Sequence, residues 1–93
     1  MAELIHEHVA QVKDLHGTTY RIIIFGETSG GNLWEGWIEF RPIDSAAPVL
    51  RTGRETIQHD RAALTYWATG LEPVYLEGAL QRARPSTKKM TAD

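Results

Sequence analysis

The chain has 93 residues, of which 42% are apolar and 24% are charged, and its formal net charge is −2, the composition of one soluble globular domain. It contains no cysteine, which excludes a disulfide framework and a thiolate zinc site. The N-terminus lacks the basic start and apolar stretch of a signal peptide and no apolar run is long enough to cross a bilayer, so we expect a cytoplasmic protein without a membrane partner.

The first half of the chain predicts antiparallel strands. Residues 4–13 form the first strand, which ends at a tight turn where Gly17 supplies a positive φ. Residues 18–25 are β-branched or aromatic almost throughout and form the second strand. A glycine-rich loop then returns the chain as a hairpin to a third strand, residues 33–40. Two prolines interrupt the pattern, and residues 49–54 form a short fourth strand at an edge.

The second half predicts two helices. The first runs over residues 60–69, with Asp60 as N-cap and Gly70 as its stop. Its apolar stripe consists of Ala63, Leu64, Trp67 and Ala68, and we expect Trp67 to anchor the helix to the sheet. The second helix begins at Glu72-Pro73, with proline at its favoured first position, and presents Leu76, Ala79, Leu80 and Ala83.

These elements predict an α+β fold in two layers. An antiparallel sheet of three to four strands is followed by two helices that pack on one of its faces. We expect a single domain over residues 1–84 and a disordered C-terminal tail over residues 85–93, which has no periodicity.

The two central strands carry bulky apolar side chains on both faces. Alternation directs one set toward the helices: Tyr20, Ile22, Ile24, Trp34, Ile38 and Phe40. Ile23, Phe25 and Trp37 then project from the opposite face, where Arg21, Glu35 and Glu39 form a polar rim typical of association sites. Our leading hypothesis is a small non-catalytic protein-interaction or regulatory module that uses this patch to bind another protein or itself, as a homodimer. Residues 1–10 are an alternative cover for the patch.

A second hypothesis is a nucleic-acid-binding regulator. Residues 51–93 carry seven basic and five acidic groups, and Arg51, Arg54 and Arg61 surround a helix N-terminus that could bind an anion. Five aromatic residues could stack on bases: Trp34, Trp37, Tyr66, Trp67 and Tyr75. Acidic neighbours of Trp37 on its strand disfavour this hypothesis.

An enzyme is the third hypothesis. His59, beside Asp60 and near Glu55, is a candidate general base. No nucleophile or oxyanion donor accompanies these residues, and capping with solvation explains them equally well. We therefore predict no catalytic residue.

The sequence contains only weak signals for a metal site or a phosphate site. His6 and His8 share one face of a strand, a geometry that binds metal only when further ligands converge. The loop with Gly26, Gly30 and Gly31 lacks the lysine and helix of a phosphate-binding loop. We predict no metal and no cofactor.

The order strand, glycine-rich hairpin, strand, loop, short strand and helix resembles that of the HicB-like antitoxin domain. The likeness covers residues 19–70 and rests on Tyr20, Gly30-Gly31, Trp34, Gly53-Arg54-Glu55-Thr56 and the helix with Asp60, Ala62 and Ala63. Members of that family bind a small ribonuclease toxin and usually carry a DNA-binding segment, so the resemblance implies a protein partner. Residues 50–56 and 66–80 also resemble short bacterial proteins of uncharacterised function, which implies a bacterial origin.

Overall fold

The computed structural model describes residues 1–44 and 46–86. Its sheet is antiparallel, with the strand order β1-β2-β3-β4-β6, and β5 also pairs with β3. In chain order the elements are β1 (Glu3–Lys13), β2 (Thr19–Thr28), β3 (Trp34–Pro42), β4 (Leu50–Arg51), β5 (Thr56–Gln58), α1 (Arg61–Thr69), α2 (Pro73–Arg82) and β6 (Arg84–Pro85). The predicted α+β class is confirmed, and the short strands β5 and β6 are additions to the prediction.

The β2–β3 hairpin forms the centre of the sheet. Its register pairs Ile22 with Phe40 and Ile24 with Ile38, and all four side chains are fully buried beneath the helices. Gly30 and Gly31 have positive φ in the connecting loop, where other residues would be strained. The alternation therefore sets the two faces of the hairpin as predicted.

The edge strand β1 departs twice from regular pairing. Irregularities lie between Leu4 and His6 and between Glu7 and Gln11, and Val9 in the second one is fully exposed. Such bulges hinder another strand from pairing with the edge. His8 then turns toward α1, where its Nε2 lies 3.0 Å from the carbonyl oxygen of Ala68.

Helix α1 packs against a pair of glycines. Asp60 caps the helix as predicted, because its carboxylate accepts a hydrogen bond of 2.7 Å from the backbone N–H of Ala63. Leu64 lies over Gly26 and Gly36, which face each other in the β2–β3 register. A Cβ at Gly26 would overlap Cδ2 of Leu64, and one at Gly36 would come within 2.7 Å of Cδ1. The two glycines thus allow the helix to approach the sheet closely.

The predicted anchor of α1 differs from the observed one. Leu64 and Ala68 are the fully buried residues of α1, whereas Trp67 is half-buried and packs at the edge of the core. A nine-residue helix directs only a narrow stripe at the sheet, and Trp67 lies at the side of that stripe that faces α2.

Strand β4 is shorter than the predicted strand over residues 49–54. The backbone N–H of Thr52 still donates to the carbonyl of Ile38 at 2.9 Å, as in regular pairing. The N–H of Ile38, however, donates to the side-chain hydroxyl of Thr52, at 3.0 Å. Pairing with β3 resumes at Glu55, whose N–H donates to the carbonyl of Gly36. Gly53 and Arg54 therefore project from the sheet between these two points.

The C-terminal part adds the last strand. Pro85, the first residue of the predicted disordered tail, lies in β6, and residues 87–93 lie outside the described residues. Neither helix in the described part of the chain is long and apolar enough to cross a membrane.

Candidate functional site

A concave surface lies at the corner between α1 and α2. It is an open cleft of ≈ 880 Å³ lined mainly by apolar and aromatic side chains. Tyr66 is 82% exposed and Val74 is 77% exposed, one on each helix, while Trp67, Leu71 and Tyr75 are half-buried. Large apolar groups that remain in solvent around a cleft are typical of binding surfaces.

Two aromatic rings form one wall of this cleft. The rings of Trp67 and Tyr75 meet edge to face, with centroids 6.2 Å apart and an interplanar angle of 85°. Both side chains also pack against the main core, which fixes their orientation. This geometry is a favoured aromatic arrangement and gives the cleft a rigid wall.

A charged cluster behind the wall holds Tyr75 in place. The hydroxyl of Tyr75 donates a hydrogen bond to Oε1 of Glu55. The same oxygen pairs with Nη2 of Arg82 at 2.6 Å. The Glu55 side chain is only 10% exposed, and the Arg82 guanidinium lies 5.5 Å from the centroid of the Tyr75 ring. We call Glu55, Tyr75 and Arg82 the Glu55 cluster.

Burial and the cluster both raise the pKa of Tyr75. Burial, followed by the hydrogen bond and the negative charge of Glu55, raises the pKa of Tyr75 to about 12. Tyr75 therefore remains a neutral hydrogen-bond donor at physiological pH. The same Glu55 carboxylate raises the pKa of Arg82, which stays charged.

One carboxylate lies at the rim of the cleft. It belongs to Glu72, which is the N-cap residue of α2 and makes no side-chain capping bond. No lysine or arginine is among the lining residues, all of which lie in the described chain. The cleft therefore combines an apolar floor with negative charge at its edge.

Of the candidate catalytic pair, His59 lines the cleft, whereas Asp60 is the N-cap residue of α1 and is not among the lining residues. His59 Nε2 is 3.5 Å from Asp60 Oδ2, and the two side chains are 79% and 54% exposed. Asp60 is also occupied in capping α1. The two residues thus lie in solvent, with Asp60 engaged in the helix cap. Glu55, the third candidate, bonds instead to Tyr75 and Arg82.

The predicted patch Ile23, Phe25 and Trp37 lies on the face of the sheet away from the helices. Within one chain, however, Ile23 is only 2% exposed and Trp37 only 5%. The Phe25 ring stacks on Trp37 at 6.4 Å, and the Arg51 guanidinium lies 4.4 Å from the Trp37 centroid on the same sheet face. These neighbours cover most of the tryptophan.

Two ion pairs cover Ile23 in the same way. Its cross-strand partners are Glu7 on β1 and Glu39 on β3. Glu7 pairs with Arg21 at 2.8 Å and Glu39 with Arg41 at 2.7 Å. The long aliphatic stems of such side chains shield apolar groups while their charges stay in water. This face therefore offers a partner chiefly Phe25 and the exposed Leu4, its cross-strand neighbour. The predicted homodimer is not tested by one chain and stays a prediction.

The three arginines of the predicted anion site occupy different places. Arg61 pairs with Glu3 at 3.0 Å and lies over the ring of Trp34, whereas Arg51 lies on β4. Strands β2 and β3 separate β1 from β4, which places the Glu3 pair far from Arg51. Arg54 is exposed at the projecting loop.

Arg51 instead shares a pocket with two arginines that the sequence analysis does not assign. Arg82 and Arg84 lie with Arg51, Thr52 and Ser86 around a pocket of ≈ 430 Å³. Their common position depends on the pairing of β4 with β6, which is too short to predict from a pattern.

Histidines and glycines show no ligand-binding arrangement. The rings of His6 and His8 lie 5.1 Å apart at 77°, and His8 is engaged with Ala68 of α1. Among residues 1–44 and 46–86, no three His, Asp or Glu side chains form a metal-binding group. The glycine-rich loop closes the β2–β3 hairpin, with a bond of 2.9 Å from Ser29 N–H to the Leu33 carbonyl.

The exposed aromatic of the cleft had a signal in the sequence. Tyr66 and Trp67 are adjacent in a nine-residue helix, and consecutive positions are about 100° apart around the axis. The two side chains therefore point in different directions, and only one of them can face the core. The Glu55 cluster had no comparable signal, because it joins residues 20 and 27 positions apart.

Comparison with known proteins gave no relative for this chain. Neither a scan against protein-family models nor searches of curated proteins and solved structures found a match. The resemblance to HicB-like antitoxins therefore stays a prediction, and the case for function rests on the geometry of the cleft and its surroundings.

Proposed function

We propose that this protein is a small non-catalytic module that binds another protein through the cleft between α1 and α2. The observation that carries the proposal is the exposure of Tyr66 and Val74 beside the fixed ring of Trp67. Tyrosine and tryptophan provide large contact areas at low entropic cost, which is why they are frequent at the energetic centres of interfaces.

The chemistry of the cleft specifies the partner segment. An apolar or aromatic side chain fits the surface formed by Trp67, Leu71 and Tyr75, and a lysine or arginine beside it fits the carboxylate of Glu72. The partner is therefore a peptide segment with one large apolar residue next to a basic residue. A protein partner also agrees with the resemblance to HicB-like antitoxins, and we retain the bacterial origin and cytoplasmic location as parts of this proposal.

Selection from a random peptide display library tests the proposal. The wild-type chain should enrich peptides that combine a large apolar residue with an adjacent lysine or arginine. Binding of a selected peptide to Tyr66→Ala should weaken about 30-fold, because truncation at an interface centre costs about 2 kcal/mol. Glu72→Gln should weaken binding less and reduce its dependence on salt.

The control variant is Leu15→Ala. Leu15 is as exposed as Tyr66 but lies in the turn between β1 and β2, outside the cleft. Both variants remove an exposed side chain and should leave stability within about 0.5 kcal/mol of the wild type. A library without enriched peptides, or peptides that bind Tyr66→Ala as tightly as the wild type, would refute the cleft as the binding site.

A further inference from the structure

We propose that the pocket formed by Arg51, Arg82, Arg84 and Ser86 binds a phosphate-type dianion, either inorganic phosphate or a phosphate monoester. The pocket has a volume of ≈ 430 Å³ and lies where β4, β6 and the end of α2 meet. It shares no lining residue with the cleft, although Arg82 also belongs to the Glu55 cluster behind the cleft wall.

Each of the three guanidinium groups is held by a different contact within the chain. Arg51 lies 4.4 Å from the centroid of Trp37, and Arg82 is bonded through Nη2 to Glu55. Arg84 uses only Nη1 for its hydrogen bonds of 3.2 to 3.4 Å to carbonyls at the end of α2. An arginine has five N–H donors, so each group keeps donors for a ligand. Fixing the side chains in advance lowers the entropic cost of binding.

The charges in the pocket match a dianion. Three guanidinium groups and the single carboxylate of Glu55 leave a net charge of +2. Arg51 and Arg84 are direct cross-strand partners, and like charges in that position repel. Neither has a carboxylate partner among the ion pairs of residues 1–44 and 46–86. A bound phosphate would offset the repulsion and accept N–H donors from the guanidinium groups.

The backbone around the pocket is fixed. Thr52 is 2% exposed, and its hydroxyl donates to the Gly53 carbonyl while it accepts from Ile38. The N–H of Ser86 bonds to the carbonyl of Val49 at 2.9 Å, which holds the Ser86 hydroxyl at the edge of the pocket. Serine hydroxyls are common donors to phosphate oxygens.

An NMR titration tests this inference. The full chain is titrated with inorganic phosphate and with glycerol phosphate at constant ionic strength, and the chemical shifts of its backbone amides are recorded. We expect saturable shifts of the amides of residues 51–53, Arg84 and Ser86, and none with chloride at the same ionic strength. Arg84→Gln should weaken binding at least about tenfold, because hydrogen bonds between charged groups are strong. Arg84 is exposed, so this variant should keep the fold.

The matched control is Arg61→Gln. Arg61 is also an exposed arginine, but it pairs with Glu3 outside the pocket, and its replacement should leave phosphate binding unchanged. The inference is overturned if phosphate and glycerol phosphate give no saturable shifts, or if Arg61→Gln and Arg84→Gln weaken binding equally. Binding of a single-stranded oligonucleotide without binding of either phosphate compound would also overturn it, in favour of nucleic-acid recognition.

Discussion

The outer face of the sheet and the cleft between the helices both contain aromatic side chains, but the exposure of these side chains differs between the two surfaces. On the sheet face, Trp37 is 5% exposed because Phe25 and Arg51 stack beside it. In the cleft, Tyr66 is 82% exposed and has no comparable cover. On a central strand, neighbours on both sides flank each side chain, whereas a helix surface at a corner curves away from its neighbours. A large apolar residue on an open sheet face is thus not by itself a sign of a missing partner.

The contact that holds α1 on the sheet should show the largest effect. Leu64→Ala should lower the free energy of unfolding by about 2 to 5 kcal/mol, because it leaves a cavity over Gly26 and Gly36. Gly36→Ala should cost about 1 to 3 kcal/mol through overpacking against Leu64. Urea denaturation measures both.

The double variant sharpens this test. With Gly36→Ala present, Leu64→Ala should cost less than it does alone, because the new methyl group occupies part of the cavity. Additive losses would contradict direct packing of Leu64 on the glycine pair.

The Glu55 cluster behind the cleft wall should show the next effect. Glu55→Gln removes the charge that Arg82 pairs with and the preferred acceptor of the Tyr75 hydroxyl. We expect a loss of about 1 to 3 kcal/mol in urea denaturation, the range for a disrupted buried hydrogen bond. The control is Glu77→Gln, which changes an exposed residue on α2. Equal midpoints for the two variants would show that the cluster does not hold the wall.

The raised pKa of Tyr75 predicts how the stability of the protein responds to alkaline pH. Its pKa is about 12 in the folded chain and about 10 in an unfolded one, so the folded state binds the proton more tightly. The stabilisation is complete below pH 10 and is lost as the pH rises toward 12. Urea midpoints across this range should fall for the wild type and fall less for Tyr75→Phe. Identical pH profiles would refute the assignment.

A smaller effect is expected where Arg51 covers Trp37 on the sheet face. Arg51→Met keeps an apolar stem but removes the cation, so we expect a loss of about 0.5 to 1 kcal/mol. Acrylamide should also quench tryptophan fluorescence more strongly in this variant. Arg54→Met, an exposed arginine on the adjacent loop, should change neither property. An unchanged quenching constant for Arg51→Met would show that the guanidinium does not shield the indole.

The smallest effect concerns self-association through the sheet face. Because Ile23 and Trp37 are already covered, a two-fold contact there would rest on Phe25 and Leu4. We expect a dimer only at high protein concentration in sedimentation experiments, and Leu4→Glu should shift it to monomer. Val9→Glu, in the exposed bulge of the same strand, is the control and should have no effect. A tight dimer that tolerates Leu4→Glu would place the contact elsewhere.

The parts of this structure that depend on local interactions could be predicted from the sequence. Asp60 caps α1 and Pro73 lies in the first turn of α2, because capping depends on residues within one turn. The β2–β3 hairpin followed from alternation and from the glycines in its loop. The candidate sites were less predictable, since the Arg51 pocket and the Glu55 cluster join residues distant in the chain.

The sequence by itself determined which side chains share a face of the hairpin, because side chains alternate strictly along a strand. Only the tertiary structure decided what covers each of them. The bulges of β1 set Glu7 opposite Ile23, and the pairing of β4 with β3 sets Arg51 over Trp37. The corner between α1 and α2 leaves Tyr66 in solvent while it fixes Trp67 against Tyr75. Exposure depends on neighbours that are distant in sequence, and their positions follow from register and packing rather than from local pattern.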